Sequence, residues 1–526
     1  MARLLRRIDS LFFSLLSLGG KNPTSRICVL LFFSWFLWRI WKFSVAPKWY
    51  PNRPKTYPYW IPFVGHTLSF FRDGDGTIMR ARMYFKNDRA PFKLVIMGET
   101  VYVVTSPQDT ASVHRQIENL SMDNWIKELM VQFGATSASI NAMWSPKAMQ
   151  SASKEPLAHV CQLLFRLQLN PGEYSNQVQE RVLRKIHERM TWEEMPTSMI
   201  LSEAHNSRVI SLLHWSQNVL LQGATTSFFG KALLEVEPEL FKYFFKFDES
   251  SWKLSYRIPP LLAKDLLRAK SFAQDAMQRY FDLPAASRAD ASWLVQSIEA
   301  KMRASGIPSR DIGRLVLMFY WTINANAWKS SFWMLTYIIN DSNLRQSILD
   351  EVTPLLANNS LLSPVELAAQ LCECLCLTSV YNEVLRLTAS SVSVRTVVGP
   401  AAIGDLVLEK DARIVVPYRQ MLLDEAVFGP DTNEFNHERF LQNPSLAKSS
   451  SFKPFGGGVT LCPGRQLAQR EVLSFVALAL CKFDLNMGEP LSNSHRNVPE
   501  LEARIPCIGI MGPVAGQDVH TRVIRV

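Results

Sequence analysis

The chain has 526 residues, 47% hydrophobic and 20% charged, with a net charge of +10 and a pI of about 9.1. That apolar fraction excludes a disordered chain and suffices for a sizeable core. The basic excess is spread, with no dense Lys/Arg block interleaved with aromatics. It therefore argues against nucleic acid and suits an anionic membrane face or an acidic protein partner. Eight cysteines in this length are too sparse for a secreted disulfide framework and point to a reducing compartment.

The first 45 residues are apolar and basic. Ile8 to Leu18 is a short apolar run behind Arg3, Arg6 and Arg7, and Ile27 to Phe43 is a stronger one. The second falls slightly short of the roughly 18 uncharged residues of a clear spanning helix. Arg39 and Lys42 near its end can snorkel to the interface, and Trp35, Trp38, Trp41 and Trp49 suit an interfacial belt. The run starts late, lacks a small-residue cleavage site and carries bulky aromatics throughout. It reads as an uncleaved single-pass anchor over residues 27–45, behind an N-terminal segment of residues 1–26, rather than as a signal peptide. Basic residues balance on its two sides, so charge does not set its orientation.

Pro47, Pro51, Pro54, Pro58 and Pro62, then Gly65-His66, predict a stiff extended hinge over residues 46–66. From residue 67 to 526 the pattern is mostly helical. Short β-like runs lie at Phe92 to Val104, turning at Gly98-Glu99, and at Ala412 to Pro417. No repeat and no internal linker appears, so the reading is mainly α with small β-sheets in one large domain. That size exceeds the usual single core, which a large bound cofactor would explain. Cys372, Cys374 and Cys376 form C-x-C-x-C. On one helix only Cys372 and Cys376 would share a face, and all three read as small buried hydrophobes.

The strongest chemical signal is Ser451 to Glu471, SFKPFGGGVTLCPGRQLAQRE. Gly456, Gly457 and Gly458 permit turns and close amide approach ahead of Cys462. Pro463 and Gly464 follow, then a helical run from Arg465 to Lys482. Cys462 therefore sits at a helix N-terminus, where the dipole favours a thiolate. A thiolate fed by amide donors suits a haem iron as an electron-rich axial ligand. Phe455, seven residues upstream, would pack beside this loop and limit water.

The F-x-x-G-x-x-x-C-x-G pattern of Phe455, Gly458, Cys462 and Gly464 resembles the haem-binding loop of cytochromes P-450. The resemblance implies the P-450 fold, a single haem domain behind a membrane helix, with haem b held by Cys462. Other segments follow the family's order. Glu383 and Arg386 form E-x-x-R, and NHERF ends in Arg439 and Phe440, with His437 where the family has proline. By resemblance, Glu383, Arg386 and Arg439 form a buried triad supporting the haem loop. Two residues before the cysteine, where the family carries Arg or His for a haem propionate, this chain has Thr460. Arg395 lies where related enzymes place a propionate-binding arginine.

The helix over the distal haem face should lie near Asp311 to Ile339. In place of the family's A-G-x-[acid]-T it reads Thr322-Ile323-Asn324-Ala325-Asn326. Ala325 thus takes the acid position and Asn326 the threonine position, the pair assigned here to distal catalysis. Asn326 can orient water through its amide but is no proton reservoir. This pattern, the run Leu387 to Ser391 and the tail GIMGPVAGQDVHTRVIRV resemble the steroid hydroxylases of bile-acid synthesis and prostacyclin synthase.

The resemblance further implies monooxygenation of a lipophilic small molecule, terpenoid, sterol-like or prenylated aromatic, in a specialised biosynthetic pathway. Electrons would come from NADPH through a flavoprotein reductase, docking near Lys453, Arg465, Arg470 and Lys482. Membrane lipid would surround the anchor, in the endoplasmic reticulum with the catalytic domain cytosolic. Substrate contacts would come from residues 121–134, 229–252, the distal helix, 390–394 and 504–508, which include Trp125, Met130, Trp321, Trp328, Val392 and Ile505. Ala325 and Asn326 leave open an isomerase or dehydratase that needs no reductase. A non-catalytic haem-binding membrane protein is a third reading, and the intact cysteine loop counts against it.

Overall fold

Apolar side chains recur at helical spacing through most of the chain, and helices dominate accordingly. The computed structural model describes residues 23–145, 155–357, 362–488 and 498–525. The apolar run Ile8 to Leu18 and the basic residues before it lie outside the described residues. Helices Leu212–Phe229, Ser309–Asn324, Ala327–Asn340, Leu375–Thr388 and Arg465–Lys482 share one large core. Arg465–Lys482 is buried along eleven of its residues, Leu467 to Leu480. It needs apolar residues all round rather than in a stripe.

Beside the helices lies a six-stranded sheet. Its order is Lys55–Thr56, Phe92–Ile96, Glu99–Val103, Arg413–Pro417, Val392–Val397, Leu120–Ser121. The hairpin Phe92–Val103 turns at Met97 and Gly98, both at positive φ (53° and 81°). Such a turn matches the twist of the strands it joins. Val392–Val397 pairs with Arg413–Pro417 so that Arg395 stands opposite Ile414.

A second sheet orders Phe483–Met487, His520–Arg525, Ser207–Ser211 and Ile200–Ala204, all antiparallel. The sequence reading missed it. Its strands are five or six residues long, and only Ile200–Ala204 and Ser207–Ser211 form a local hairpin; the other two come from segments far along the chain.

The N-terminal helix Pro23–Ile40 runs on through a π-helical turn, Trp41–Val45, to Trp49. It thus extends into the segment read as an extended hinge. Pro47 is tolerated because it falls in the first turn of the last helical piece. The helix exposes Leu31, Phe32 and Leu37, and its far end is tied to the domain. Trp35 Nε1 donates to the Trp60 carbonyl at 2.8 Å, Arg39 to the Tyr59 carbonyl at 2.5 Å, and Lys42 to the Tyr59 hydroxyl at 2.5 Å. Trp60, Phe63 and Leu68, 69%, 86% and 72% exposed, continue the apolar surface. A patch of this kind marks a membrane or partner face.

Two further expectations change. The distal helix is not continuous: it breaks at Ala325 and Asn326, between Ser309–Asn324 and Ala327–Asn340. The three clustered cysteines do not share one helix. Cys372 follows helix Pro364–Leu371 and Cys374 precedes Leu375–Thr388. Burial pushes the Cys374 and Cys376 thiols up to about 11, and the described residues hold no cluster suited to a metal ion.

Gly65 sits at φ +60°, where a Cβ would stand 2.4 Å from the Val95 carbonyl oxygen. His66 N–H donates to that carbonyl at 2.7 Å, and its Nδ1 accepts from Val95 N–H at 3.1 Å. Gly65→Ala therefore breaks this joint between hinge and sheet. Left-handed strain alone costs about 1–2 kcal/mol, and thermal unfolding should show a clear fall in Tm.

Candidate active site

Cys462 is placed by a loop that only small residues can build. Gly456 and Gly458 adopt left-handed φ of +75° and +58°. A Cβ at Gly457 or Gly458 would come within 2.8 or 2.7 Å of the His114 side chain. The Cys462 N–H closes the loop on the Phe455 carbonyl at 3.0 Å, and Thr460 Oγ1 donates to the Gly457 carbonyl at 2.9 Å. Burial pushes the Cys462 thiol up, against the Gly464 and Arg465 amides and the Arg465 charge.

Arg395, 2% exposed, donates to Thr460 Oγ1 at 3.1 Å and to the Val394 carbonyl at 2.9 Å. Among the described residues no carboxylate pairs with it. Burial pulls its pKa down. A buried cation without a counter-ion calls for an anion from elsewhere. Thr460 carries no charge but orients the guanidinium.

The cysteine loop and the distal helix also carry side chains that the protein itself leaves uncovered. Val459 and Leu461 flank the cysteine and are 45% and 40% exposed. Thr322 is exposed although Trp321, Asn324 and Ala325 beside it are buried. A flat apolar group bearing carboxylates and a thiolate-binding metal matches this set, so the residues fit haem. Cys462 would hold the iron and Arg395 a propionate. When bound, haem supplies the activation of dioxygen by electrons that protein side chains lack.

Behind the loop, Glu383 is the hub of a buried network. Arg386 grips it twice, at 2.8 and 2.7 Å, and Arg439 Nε reaches both its oxygens at 3.2 Å. Glu383 and Arg386 have no exposed surface. Arg386 also donates to the carbonyls of Thr432 (2.7 Å), Glu434 (3.2 Å) and Leu422 (3.3 Å). Arg439 pairs with Asp431 at 2.9 Å and donates to the Phe428 carbonyl. The Arg439 guanidinium holds the Asp431 carboxyl down at about 2. Asp431 is the member that sequence reasoning missed, although it stands only eight residues before Arg439.

Asn326 is engaged: its Oδ1 accepts from the Ile510 N–H at 2.8 Å and ties the helix break to the C-terminal loop. Its Nδ2 and the second lone pair of Oδ1 are left to meet water. Ala325 is buried. Phe455 packs partly buried against the main core. Gly464 caps helix Arg465–Lys482. His114 and Tyr418, 3.0 Å apart, brace the glycine loop and carried no motif to reveal them. Of the cations read as a docking face, Arg465 binds the Cys462 carbonyl at 3.0 Å and Arg470 the Gln179 side chain, while burial pushes Lys482 down.

A cavity of about 280 Å³ opens between the sheet, the helices of residues 67–84 and the C-terminal loop. Trp125, Val392 and Ile505 line it, and Met130, Trp321 and Trp328 do not. Trp252, at the end of the stretch 229–252, also lines it, and Phe70, Ile78 and Tyr256, which the sequence reading had not assigned, complete an apolar wall.

The helical core, the cysteine at the head of a buried helix and the surfaces around it define a haem-thiolate scaffold. The cytochrome P450 family profile matches residues 54–501, and the chain belongs to that family. It is a cytochrome P450 monooxygenase. The chain is 25% identical to cytochrome P450 monooxygenase poxD of Penicillium oxalicum, over 83% of this chain and 88% of that one. With nodJ of Hypoxylon pulicicidum it shares 22%, over 89% and 88%. It is 29% identical to cholesterol 7-alpha-monooxygenase of Cricetulus griseus, over 38% of this chain and 42% of the other. Retinoic acid bound cyanobacterial CYP120A1 has the same fold, with a TM-score of 0.63 and 16% identity over 90% of this chain and 99% of that one.

Two outcomes check the geometry. Glu383→Gln leaves two buried guanidiniums short of charge and should destabilise the protein by about 3–5 kcal/mol, read by denaturant unfolding. Arg395→Leu should fold but retain less haem, read as a lower ratio of haem to protein absorbance after gel filtration.

Proposed function

We propose that this monooxygenase inserts one atom of O2 into a rigid, lipophilic small molecule in a specialised biosynthetic pathway. A terpenoid, a sterol-like compound or a prenylated aromatic fits that description. The observation that carries the reading is the aromatic-walled cavity beside the strand that bears Arg395. The fungal relatives support the pathway assignment. The partial likeness to cholesterol 7-alpha-monooxygenase supports the steroid-hydroxylase and prostacyclin-synthase branch.

In this proposal Cys462 is the axial ligand and Phe455, Gly458 and Gly464 shape its loop. Arg395 holds a propionate, and Glu383, Arg386 and Arg439 fix the loop's support. Ala325 and Asn326 stand on the distal side. Residues 27–45 anchor the chain in the endoplasmic reticulum membrane, 46–66 form the hinge and 67–526 the cytosolic catalytic domain. A membrane flavoprotein reductase passes electrons from NADPH.

A second reading, an isomerase or dehydratase that needs no reductase, is favoured by one observation. Asn326 commits its carbonyl oxygen to the Ile510 N–H, which ties the side chain to the C-terminal loop and limits its freedom to organise water.

The first test is the carbon monoxide difference spectrum of the reduced, membrane-extracted protein beside Cys462→Ser. A strongly red-shifted Soret band in the wild type and its loss in the variant are expected. Reductase-dependent oxidation of terpenoid and sterol probes should follow. Turnover of a peroxide substrate without reductase, and none with it, would move the assignment to the isomerase.

A further inference from the structure

The distal helix has no acid at Ala325, yet a carboxylate stands there. It comes from another helix. Trp321, Ala325 and Lys329 are spaced four residues apart along the broken distal helix. Trp321 Nε1 donates to Asp248 Oδ1 at 2.8 Å, and Lys329 Nζ donates to Asp248 Oδ2 at 2.7 Å. Trp321 lies before the break at Ala325 and Asn326 and Lys329 after it, so the Asp248 carboxylate bridges the two halves of the distal helix across that break. Asp248 lies on helix Leu240–Ser250. That helix is keyed against the same stretch by Phe244 on Tyr320, Phe247 on Trp321 and Phe245 on Trp328.

The pair is buried, with side chains 6% and 13% exposed. Burial opposes the charge on Lys329, but Asp248, Cys507 and Glu249 outweigh it and raise the pKa. A buried ion pair is poor value as a packing device, since apolar residues of the same volume stabilise as well or better. Two other polar atoms beside it, Asn324 Oδ1 and Trp328 Nε1, are buried without a protein partner. Such atoms call for ordered water. Cys507 is within electrostatic reach of Lys329, Asp248 and Asp75, and Cys507 and Asp75 line the cavity.

We propose that Asp248, held by Lys329 and Trp321, takes the place of the missing distal-helix acid and passes protons to the oxygen being reduced. The inference rests on the monooxygenase reaction. One O2, two electrons from NADPH and two protons yield one inserted oxygen atom and one water. Asp248 takes each proton from solvent and hands it through ordered water to the departing oxygen. Lys329 and Trp321 are positioning residues.

Cumene hydroperoxide tests this on the full-length holoprotein without the natural substrate. When a proton is delivered, the O–O bond breaks with both electrons going to the leaving oxygen, which departs as 2-phenylpropan-2-ol. Without it, the bond breaks with one electron to each oxygen and the radical fragments to acetophenone. Asp248→Asn should lower the alcohol-to-acetophenone ratio about a hundredfold, the lower reach of general acid catalysis. The carbon monoxide band should stay in place. The double variant Asp248→Leu with Lys329→Met, which leaves no unpaired charge, should show the same loss. Adding Ala325→Asp to Asp248→Asn returns a carboxylate to the same break and should restore most of the ratio.

An unchanged ratio in both the Asn variant and the apolar double variant overturns the proposal. So does a lowered ratio that Ala325→Asp fails to restore. Should Asp248→Asn not bind haem, the apolar pair decides. Absence of the carbon monoxide band in the wild type would instead sink the haem-thiolate reading itself.

Discussion

The site depends on one carboxylate, Glu383, held without water between two guanidiniums. Taking such a charge out of water costs several kcal/mol, repaid only when every lone pair is satisfied. Here each oxygen meets both arginines, and the Asn436 N–H adds a further donor at 3.1 Å. The arginines then spend their remaining hydrogens on the carbonyls of residues 422–434, so an irregular segment inherits the rigidity of helix Leu375–Thr388. Phe428 and Phe440 from that segment meet Phe452, just ahead of the glycine loop. The position of Cys462 is thus fixed from behind by charge and packing, and the loop itself is left free to be mostly glycine.

From the front, the same loop is braced by the sheet. Ser391 Oγ donates to the Pro454 carbonyl at 2.9 Å, and Arg395 donates to Thr460. The sheet also connects to the exposed apolar surface beside the N-terminal helix. Its second strand is stitched to Gly65-His66, and Met97 at its hairpin tip is both half exposed and part of the cavity wall. One body therefore joins the apolar patch of Trp60, Phe63 and Leu68 to a cavity walled by aromatics. A lipophile dissolved in the bilayer has a short path to such a cavity, which fits the substrate class proposed.

What was legible in the sequence was local chemistry. Cys462, its glycines and the helix behind it are contiguous, so spacing alone carried the inference. Glu383 with Arg386 and Arg439 needed the resemblance, because their meeting is tertiary. Asp431 could have been found by asking what neutralises a second arginine on one carboxylate. Asp248 could not: nothing in LFKYFFKFDES marks one acid among charged neighbours, and only the folded distance to Trp321 and Lys329 singles it out. The break at Ala325-Asn326 was hidden for a related reason. It is stabilised by Ile510, almost two hundred residues away, and a local propensity reading sees only a helix with a weak asparagine.

The two residues closest to the cofactor site are each incomplete on their own. Arg395 is buried beside a threonine hydroxyl and carbonyls, which are partners for its hydrogens and not for its charge. Burial pushes the Cys462 thiol up, against amides arranged for an anion. The unpaired buried charge of Arg395 costs folding free energy, which a bound carboxylate would offset. Binding that acts only on the folded state adds its free energy to stability. The core around Thr322, Val459 and Leu461 gains apolar contacts in the same event. Haem bound there would therefore act as part of the core as well as the reagent.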